Sequence, residues 1–340
     1  MTQNPQKEFF PNASKNGKDI EEISSLPDQP VRPNSYSLME LDTLNTKSQK
    51  LEYEVSREAK GKGDTPELKT HYRDLTIKAE EKIYFDETLV KVHSWVLIEH
   101  HRTGKNKIEL SLQKYKELTG LVDDKTARMQ LARAIHNLVG LKISRTNFKA
   151  LNHNQKRYEP FVDDVVLYVS GKYGQPAYKR GKGYLTISDD FAKALDDHTT
   201  PKIYPKILFK LKGTSFYLLN ALIDNKQINY NKKNGRGDRM PIGSILKLCP
   251  NLPSWEKVKE GNRSYGSRII KPLDNAIKEL SDQITCSFID TNGRPQKSIT
   301  NLPLDGFLDC KIVVTDWKNI NVDQVGRSKQ KGQKKKQKIK

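Results

Sequence analysis

Cysteine is scarce in this sequence and occurs only at Cys249, Cys286 and Cys310. Three widely separated cysteines form neither a disulfide framework nor a pair with metal-site spacing. Long apolar runs are also missing, since stretches such as 95–98 and 165–169 are far too short to span a bilayer. The first residues lack the apolar segment of a signal peptide. We therefore expect a cytoplasmic protein without disulfides or membrane contact.

The motifs of common enzyme sites are missing as well. There is no Gly-x4-Gly-Lys-Ser/Thr loop for nucleotide phosphates. His100 and His101 have no further ligand at metal-site spacing, and the His-apolar-His metal pair of nicking enzymes is absent. The acidic pairs at 189–190 and 196–197 are typical of helix caps. We expect no catalytic activity, no metal ion and no cofactor.

Positive charge is abundant and is unevenly distributed. The formal net charge is +19, and residues 327–340 carry eight basic residues with no acid. Residues 83–326 are also strongly positive, whereas residues 1–82 are slightly acidic. A basic folded body is typical of a protein that binds nucleic acid. An acidic membrane or an acidic protein is the alternative partner, and a tail of this kind either follows phosphates or only solvates the chain.

The order of the predicted elements indicates an α+β fold with two tandem winged helix-turn-helix domains. The first half reads as a helix at 86–102, a strand at 108–111, a short helix from Ser111, and a longer helix capped by Asp123. Two β-rich segments, 141–148 and 165–169, follow with a loop at 149–158. The second half repeats the order of helix, short helix, long helix and hairpin. We predict these regions: 1–82, a flexible, partly helical arm; 83–180, the first winged helix; 181–318, the second; and 319–340, a basic disordered tail.

The long helix predicted at 262–282 is the stronger candidate for reading DNA. Its buried stripe includes Ile269, Leu273 and Leu280, and no acid lies on the opposite face between residues 263 and 271. Arginine can bond a guanine edge with two hydrogen bonds, and helix-turn-helix proteins enter the major groove with this end of the helix. Tyr265 is interpreted as a packing residue rather than a base stacker. The predicted DNA-binding residues here are Arg263, Ser264, Ser267, Arg268 and Lys271.

The first long helix and the two loops supply weaker candidates. The helix carries Lys125, Arg128 and Arg133 on the face opposite its core, and this face suits either DNA or a dimer partner. The loops add Lys156 and Arg157 in one half, and Arg294 and Lys297 in the other. Loop contacts of this kind bind phosphates and set register rather than sequence choice.

Three stretches of the sequence resemble the iteron-binding plasmid replication initiators, the Rep family with two winged helices. They are residues 108–120, residues 183–195 with 207–219, and residues 268–280, in which a basic start leads into a Pro-Leu and Glu-Leu pattern. The resemblance covers about residues 83–318. It implies a plasmid replication initiator without enzymatic activity that binds direct repeats at an origin as double-stranded DNA.

The resemblance also implies partners and leaves alternatives. Such initiators help to open an AT-rich segment and recruit host replication proteins such as the helicase or the host initiator. They commonly form homodimers. A winged-helix transcription regulator would share the DNA chemistry without opening an origin. A DNA-nicking relaxase would need a metal site and a nucleophilic tyrosine, and the tyrosines here lack a metal-binding motif beside them.

Overall fold

The fold was analysed in a computed structural model of the 340-residue chain. The structure describes residues 27–45, 54–55, 68–72, 75–79, 81–145, 149–152, 157–160, 165–174, 181–229, 235–261 and 264–322. The arm before residue 27 and the tail after residue 322 therefore lie outside the described residues. Within the described part of the chain, helices and strands are mixed in an α+β fold, and no helix is long and apolar enough to cross a membrane.

The described helices and strands include two series with the same order of elements. The helices are α1 (Tyr36–Asp42), α2 (Glu87–Thr103), α3 (Leu112–Thr119), α4 (Asp124–Leu138), α5 (Asp189–His198), α6 (Ile207–Lys210), α7 (Gly213–Ile228), α8 (Ile242–Leu248), α9 (Trp255–Glu260) and α10 (Lys271–Glu279). The strands are β1 (Val31–Asn34), β2 (Glu54–Val55), β3 (Leu68–Tyr72), β4 (Leu75–Ala79), β5 (Lys107–Ser111), β6 (Lys142–Arg145), β7 (Lys149–Asn152), β8 (Arg157–Pro160), β9 (Val165–Val166), β10 (Tyr168–Tyr173), β11 (Lys182–Ile187), β12 (Thr200–Ile203), β13 (Arg239–Pro241), β14 (Thr285–Ile289), β15 (Pro295–Gln296) and β16 (Lys311–Asp316).

Both series have the winged-helix arrangement and the same order of paired strands. The first consists of α2, β5, α3, α4, β10 and β11, with the sheet order β10-β11-β5. The second consists of α7, β13, α8, α10, β14 and β16, with β14-β16-β13 in its sheet. In each, the strand after the first helix pairs antiparallel with the last strand of the hairpin. Each series thus has the element order and strand pairing predicted for a winged helix, and the predicted α+β class is confirmed.

Local chemistry places the helices of the first winged helix. The side chain of Ser111 accepts a hydrogen bond from the Lys114 backbone N–H at 3.1 Å, and Asp123 accepts one from Thr126 at 2.7 Å. Both caps were predicted, because each satisfies an otherwise unpaired N–H at a helix start. The apolar stripe of α4 is fully buried, at Ala127, Leu131, Ala134, Ile135 and Leu138.

The strand assignments of the first half need correction. The segments predicted as the wing hairpin, 141–148 and 165–169, do pair through β6 and β9, but they belong to a five-stranded sheet with the order β2-β3-β4-β6-β9. The wing is instead the hairpin of β10 and β11. The predicted boundary at residue 181 is therefore wrong, because β11 completes the first sheet by pairing with β5.

The predicted arm is also wrong for the part that the structure describes. Residues 27–45, named the strap here, lie in the folded body, and β3 and β4 join the five-stranded sheet. Strap strand β1 pairs antiparallel with β12, which lies in the connection between the two winged helices. Three leucines of the strap, Leu38, Leu41 and Leu44, are buried in the core.

Candidate nucleic-acid interface

The recognition segment of the second winged helix starts later than predicted. It begins with a π-helical turn, Gly266–Ile270, which continues directly into α10. The Lys271 N–H donates to the Gly266 carbonyl, five residues earlier, and Pro272 in the next position has no N–H to donate. The first N–H groups of an α-helix have no carbonyl partner within the helix, so a proline, which has no N–H, is tolerated there. The hydrogen-bond pattern therefore changes from π-helical to α-helical next to this proline.

Aromatic packing holds the start of this segment. The ring of Tyr265 stacks on Trp255 with centroids 4.1 Å apart, and Trp255 stacks on Phe307 at 5.0 Å. Tyr265 and Trp255 are half-buried and pack against the core, as predicted for Tyr265. The stack joins α9, the recognition segment and the loop before β16. It therefore fixes the direction in which the exposed side of the segment faces.

The exposed face of the recognition segment is basic, as the sequence predicts. Ser267, Arg268 and Lys271 are exposed, and no acid lies between them. In the described part of the chain, neither Arg268 nor Lys271 has a side-chain hydrogen bond or an ion pair. Further along the helix, Lys278 pairs with Asp274 at 2.6 Å. The unpaired cations therefore cluster at the beginning of the segment, where groove contact is expected.

Ser264 has a structural role beside this face. Its carbonyl accepts the Arg268 N–H at 3.1 Å and the Ser267 hydroxyl at 3.4 Å. Ser264 is half-buried, so it contributes to the start of the segment through its backbone. Arg263, the remaining candidate of this group, lies outside the described residues.

The equivalent face of α4 is more strongly paired within the chain. Arg133 forms an ion pair with Asp86, and Lys116 of α3 pairs with Asp124 of α4, whereas Arg128 is exposed. Lys125 is exposed at the helix start. Because these acids offset much of the positive charge, the face of α4 is a weaker anion surface than that of the second recognition segment.

Exposed apolar side chains also lie around the start of α4. Val122 is 88% exposed and Met129 is 63% exposed, which is unusual for large apolar side chains. The face therefore combines exposed cations, which suit DNA contact, with exposed apolar side chains, which suit dimer contact.

The wing of the second winged helix presents its two predicted cations on a fixed turn. The carboxylate of Asp290 accepts hydrogen bonds from the N–H groups of Asn292 at 2.9 Å and Arg294 at 2.8 Å. The backbone N–H of Arg294 is the main cause that lowers the pKa of the Asp290 carboxyl. The side chains of Arg294 and Lys297 are exposed. They belong to the same winged helix as Arg268 and Lys271.

Of the two loop candidates of the first half, Arg157 is described and does not lie on the wing. Arg157 begins β8, which pairs only with β7 in a separate two-stranded sheet among the described strands. Lys156 lies outside the described residues. The prediction that Arg157 lies on the wing is wrong, because the wing strands are β10 and β11.

A buried charged cluster that the sequence pattern does not predict lies between the two winged helices. Arg32 of the strap pairs with Asp42, and Lys202 of β12 pairs with Asp224 of α7 at 2.8 Å. All four side chains are at least nine-tenths buried. Their charges sum to zero, which limits the cost of burying them. The weak signal was local: Arg32 and Lys202 each lie next to a proline in short segments with β-type neighbours.

Neutral polar groups complete this cluster. The side chain of Asn34 donates to Asp224 at 3.2 Å, and Lys202 donates to Asn220 at 2.8 Å. The Arg32 guanidinium also donates to the Ser94 hydroxyl of α2 and lies 5.4 Å from the ring centroid of Tyr204. Burial lowers the pKa of Lys202 and raises that of Asp224, in both cases against the effect of the partner charge.

Comparisons with known proteins give little further information. No protein-family model matches the chain, and no curated protein sequence matches it. The chain is similar to a crystal structure of domains 2 and 3 of RctB with 14% identity, a TM-score of 0.44, and coverage of 78% of this chain and 91% of that chain. A second RctB structure of domains 2–3 gives 12% identity, a TM-score of 0.42, and the same coverage of 78% and 91%. In the described residues, no group of three or more His, Cys, Asp or Glu side chains could hold a metal ion.

Proposed function

We propose that this chain is a sequence-specific double-stranded-DNA-binding protein that initiates plasmid replication and has no catalytic activity. The proposed DNA binding is supported by the start of the second recognition segment, which is exposed and free of acids. Among the described residues, Arg268 and Lys271 of this surface are unpaired. Unpaired arginine and lysine side chains at this end of a helix-turn-helix segment suit base edges and phosphates. The initiator part rests on the sequence resemblance to the Rep family.

The proposal assigns different tasks to the different basic groups. Arg268 reads a guanine, Ser267 and Lys271 bond bases or phosphates beside it, and Arg294 and Lys297 hold the backbone from the wing. The first winged helix adds contacts from Lys125 and Arg128, or serves as the dimer surface. Direct repeats at an origin, host replication proteins and a second copy of the chain are the proposed partners.

Selection of bound fragments from the replicon's own DNA, at two salt concentrations, tests the proposed function. We expect a tandem array of short direct repeats beside an AT-rich stretch, left uncut in the presence of Mg²⁺. Binding to one inverted repeat upstream of a gene would favour a transcription regulator. A site-specific nick would favour a relaxase, and binding without sequence preference at either salt would contradict the proposal.

Changing Arg268 to alanine should weaken binding to the selected site by about 1–3 kcal/mol and relax the preference at one base pair. The reason is the loss of two hydrogen bonds to a base, which no neighbouring residue replaces. Affinity measured on a panel of single-base variants of the site checks this result. Lys193→Ala, an exposed lysine of α5, is the matched control and should leave affinity and preference unchanged. An unaltered preference in Arg268→Ala would show that another residue reads the base.

Removal of residues 327–340 should weaken binding to all sequences alike. This segment carries eight basic residues and no acid, so its contacts depend on phosphate charge. The slope of log affinity against log salt should flatten by about 0.9 for each phosphate that the segment neutralises. Titrations of the selected site and of a scrambled site over a salt series measure both effects. A change in the preferred sequence would contradict this division of tasks.

A further inference from the structure

The strap lies between the first helices of the two winged helices. On one side, the Arg32 guanidinium donates to Ser94 of α2. On the other side, the Asn34 side chain donates to Asp224 of α7 at 3.2 Å. Both contacts are buried. The strap therefore joins two helices that belong to different winged helices.

The connection between the winged helices is held in the same cluster. In the pairing of β1 with β12, Arg32 lies opposite Lys202. The Lys202 ammonium lies 2.8 Å from Asp224 and 3.8 Å from Asp42, so it contacts one carboxylate of α7 and one of the strap. The backbone adds a bond from the Tyr204 N–H to the Pro30 carbonyl at 2.8 Å. The β12 part of the connection is thus held to the strap by both backbone and side-chain contacts.

Hydrogen bonds also link α2 directly to the start of α7 and to the residues just before it. The Glu87 carboxylate accepts the Gly213 N–H at 2.5 Å at the start of α7, and the Lys91 ammonium donates to the Leu211 carbonyl at 2.6 Å. Lys91 also lies 5.1 Å from the ring centroid of Phe216. Helix α2, which also packs against α4 and strap strand β1, is buried from Thr88 to His100.

We propose that the strap is a clasp that holds the two recognition helices at one fixed separation, so that the protein reads a composite DNA site of fixed spacing. This inference rests on the proposed function, because it concerns how two DNA-contacting units are positioned. Arg32, Asp42, Lys202 and Asp224 are positioning residues and do not touch DNA. Their four buried charges are mutually satisfied only when the strap, β12 and α7 are assembled together. Partial opening would leave charges buried without partners, which favours the closed arrangement.

The experiment compares spacing dependence in the full chain and in clasp variants. Insertions of one to five base pairs are placed at the centre of the protected site, and affinity is measured for each. The double variant Lys202→Met with Asp224→Leu removes one cation and one anion, so the remaining pair of Arg32 and Asp42 stays neutral. Lys206→Met is the matched control, because it breaks the exposed pair of Lys206 with Asp28 at the edge of the strap.

In the unaltered chain and in Lys206→Met, a five-base-pair insertion should lower affinity by about ten-fold or more. The reason is that the two winged helices can then no longer bind the site at the same time. The double variant should bind the original site more weakly and should vary by less than about three-fold across the spacings. If the double variant does not fold, Asn34→Ala takes its place, because it removes only the hydrogen bond from the strap to α7. It should reduce the spacing dependence in the same direction but by a smaller amount.

Each other outcome contradicts one of the two proposals. A clasp variant that keeps the full spacing dependence would overturn the clasp, and so would an unaltered chain whose affinity is independent of spacing while its base preference remains. An unaltered chain with no preferred sequence would overturn the proposed function itself, and the clasp with it. Thermal unfolding of the same variants provides a second measurement, in which loss of the clasp should split one transition into two.

Discussion

Replacing Arg32 with methionine should lower the free energy of unfolding by about 3–5 kcal/mol, because it leaves a buried carboxylate without its main partner. Asp42 is fully buried beside Arg32, and the Lys202 ammonium, at 3.8 Å, is already paired with Asp224. The guanidinium also gives a hydrogen bond to Ser94 that methionine cannot replace. Denaturant titration at neutral pH measures the change.

Two further variants distinguish the destabilisation caused by an unpaired buried charge from that caused by the loss of an ion pair. Arg32→Met combined with Asp42→Leu removes both charges and should recover most of the lost stability, because no unpaired charge then remains. The side chains of Arg133 and Asp86 form an ion pair and are 48% and 33% exposed. Arg133→Met breaks this pair and should lower the free energy of unfolding by no more than about 1 kcal/mol. Equal losses in the buried and the exposed pair would contradict the structural role of the cluster.

Acidification from pH 6.5 towards pH 4.5 should destabilise the protein through His93, by a slope that approaches about 1.4 kcal/mol per pH unit. Burial, and then the nearby charge of Arg32, lower the pKa of His93 from 6.5 to about 3. In the unfolded chain the same side chain takes up a proton near pH 6.5. The contribution of neutral His93 is thus complete above pH 6.5 and falls as the pH approaches 3.

His93→Phe distinguishes this effect from other acid sensitivity. The ring of His93 stacks on Phe191 with centroids 6.3 Å apart, and its Nδ1 lies 2.7 Å from the Tyr168 hydroxyl. Phenylalanine keeps the stacking and loses the hydrogen bond, so the variant should be less stable at neutral pH but less dependent on pH. Unfolding free energies between pH 7 and pH 4.5 provide the comparison. Parallel curves for the two proteins would show that His93 is not the responsible group.

The helix predictions succeeded where the signals are local. Ser111 and Asp123 are followed at the correct distance by the N–H groups that they cap, so the starts of α3 and α4 can be predicted from a few residues. The apolar spacing of α4 is likewise a property of one segment. The start of the second recognition segment was placed too early, because a π-helical turn before Pro272 has no clear signal in a pattern of apolar residues.

Strand partners were harder to predict than strands. Residues 182–187 form β11, yet their alternation of apolar and polar residues is the same whether they pair with β5 or with a strand of the second half. Pairing with β5 brings together residues far apart in the sequence. The five-stranded sheet is a similar case, since β4 and β6 are separated by α2, α3 and α4.

The sequence by itself determined the basic character of the protein, the two series of helices and strands, and the residues of the recognition face. These features depend on composition, on helical periodicity and on local caps. Only the tertiary structure decided that the strap belongs to the core, that Arg32 and Lys202 are buried rather than exposed, and that the two winged helices are joined through α2 and α7. The physical reason is that a charged side chain is buried only where partners from other segments neutralise it, and such partners are visible only after the chain has folded.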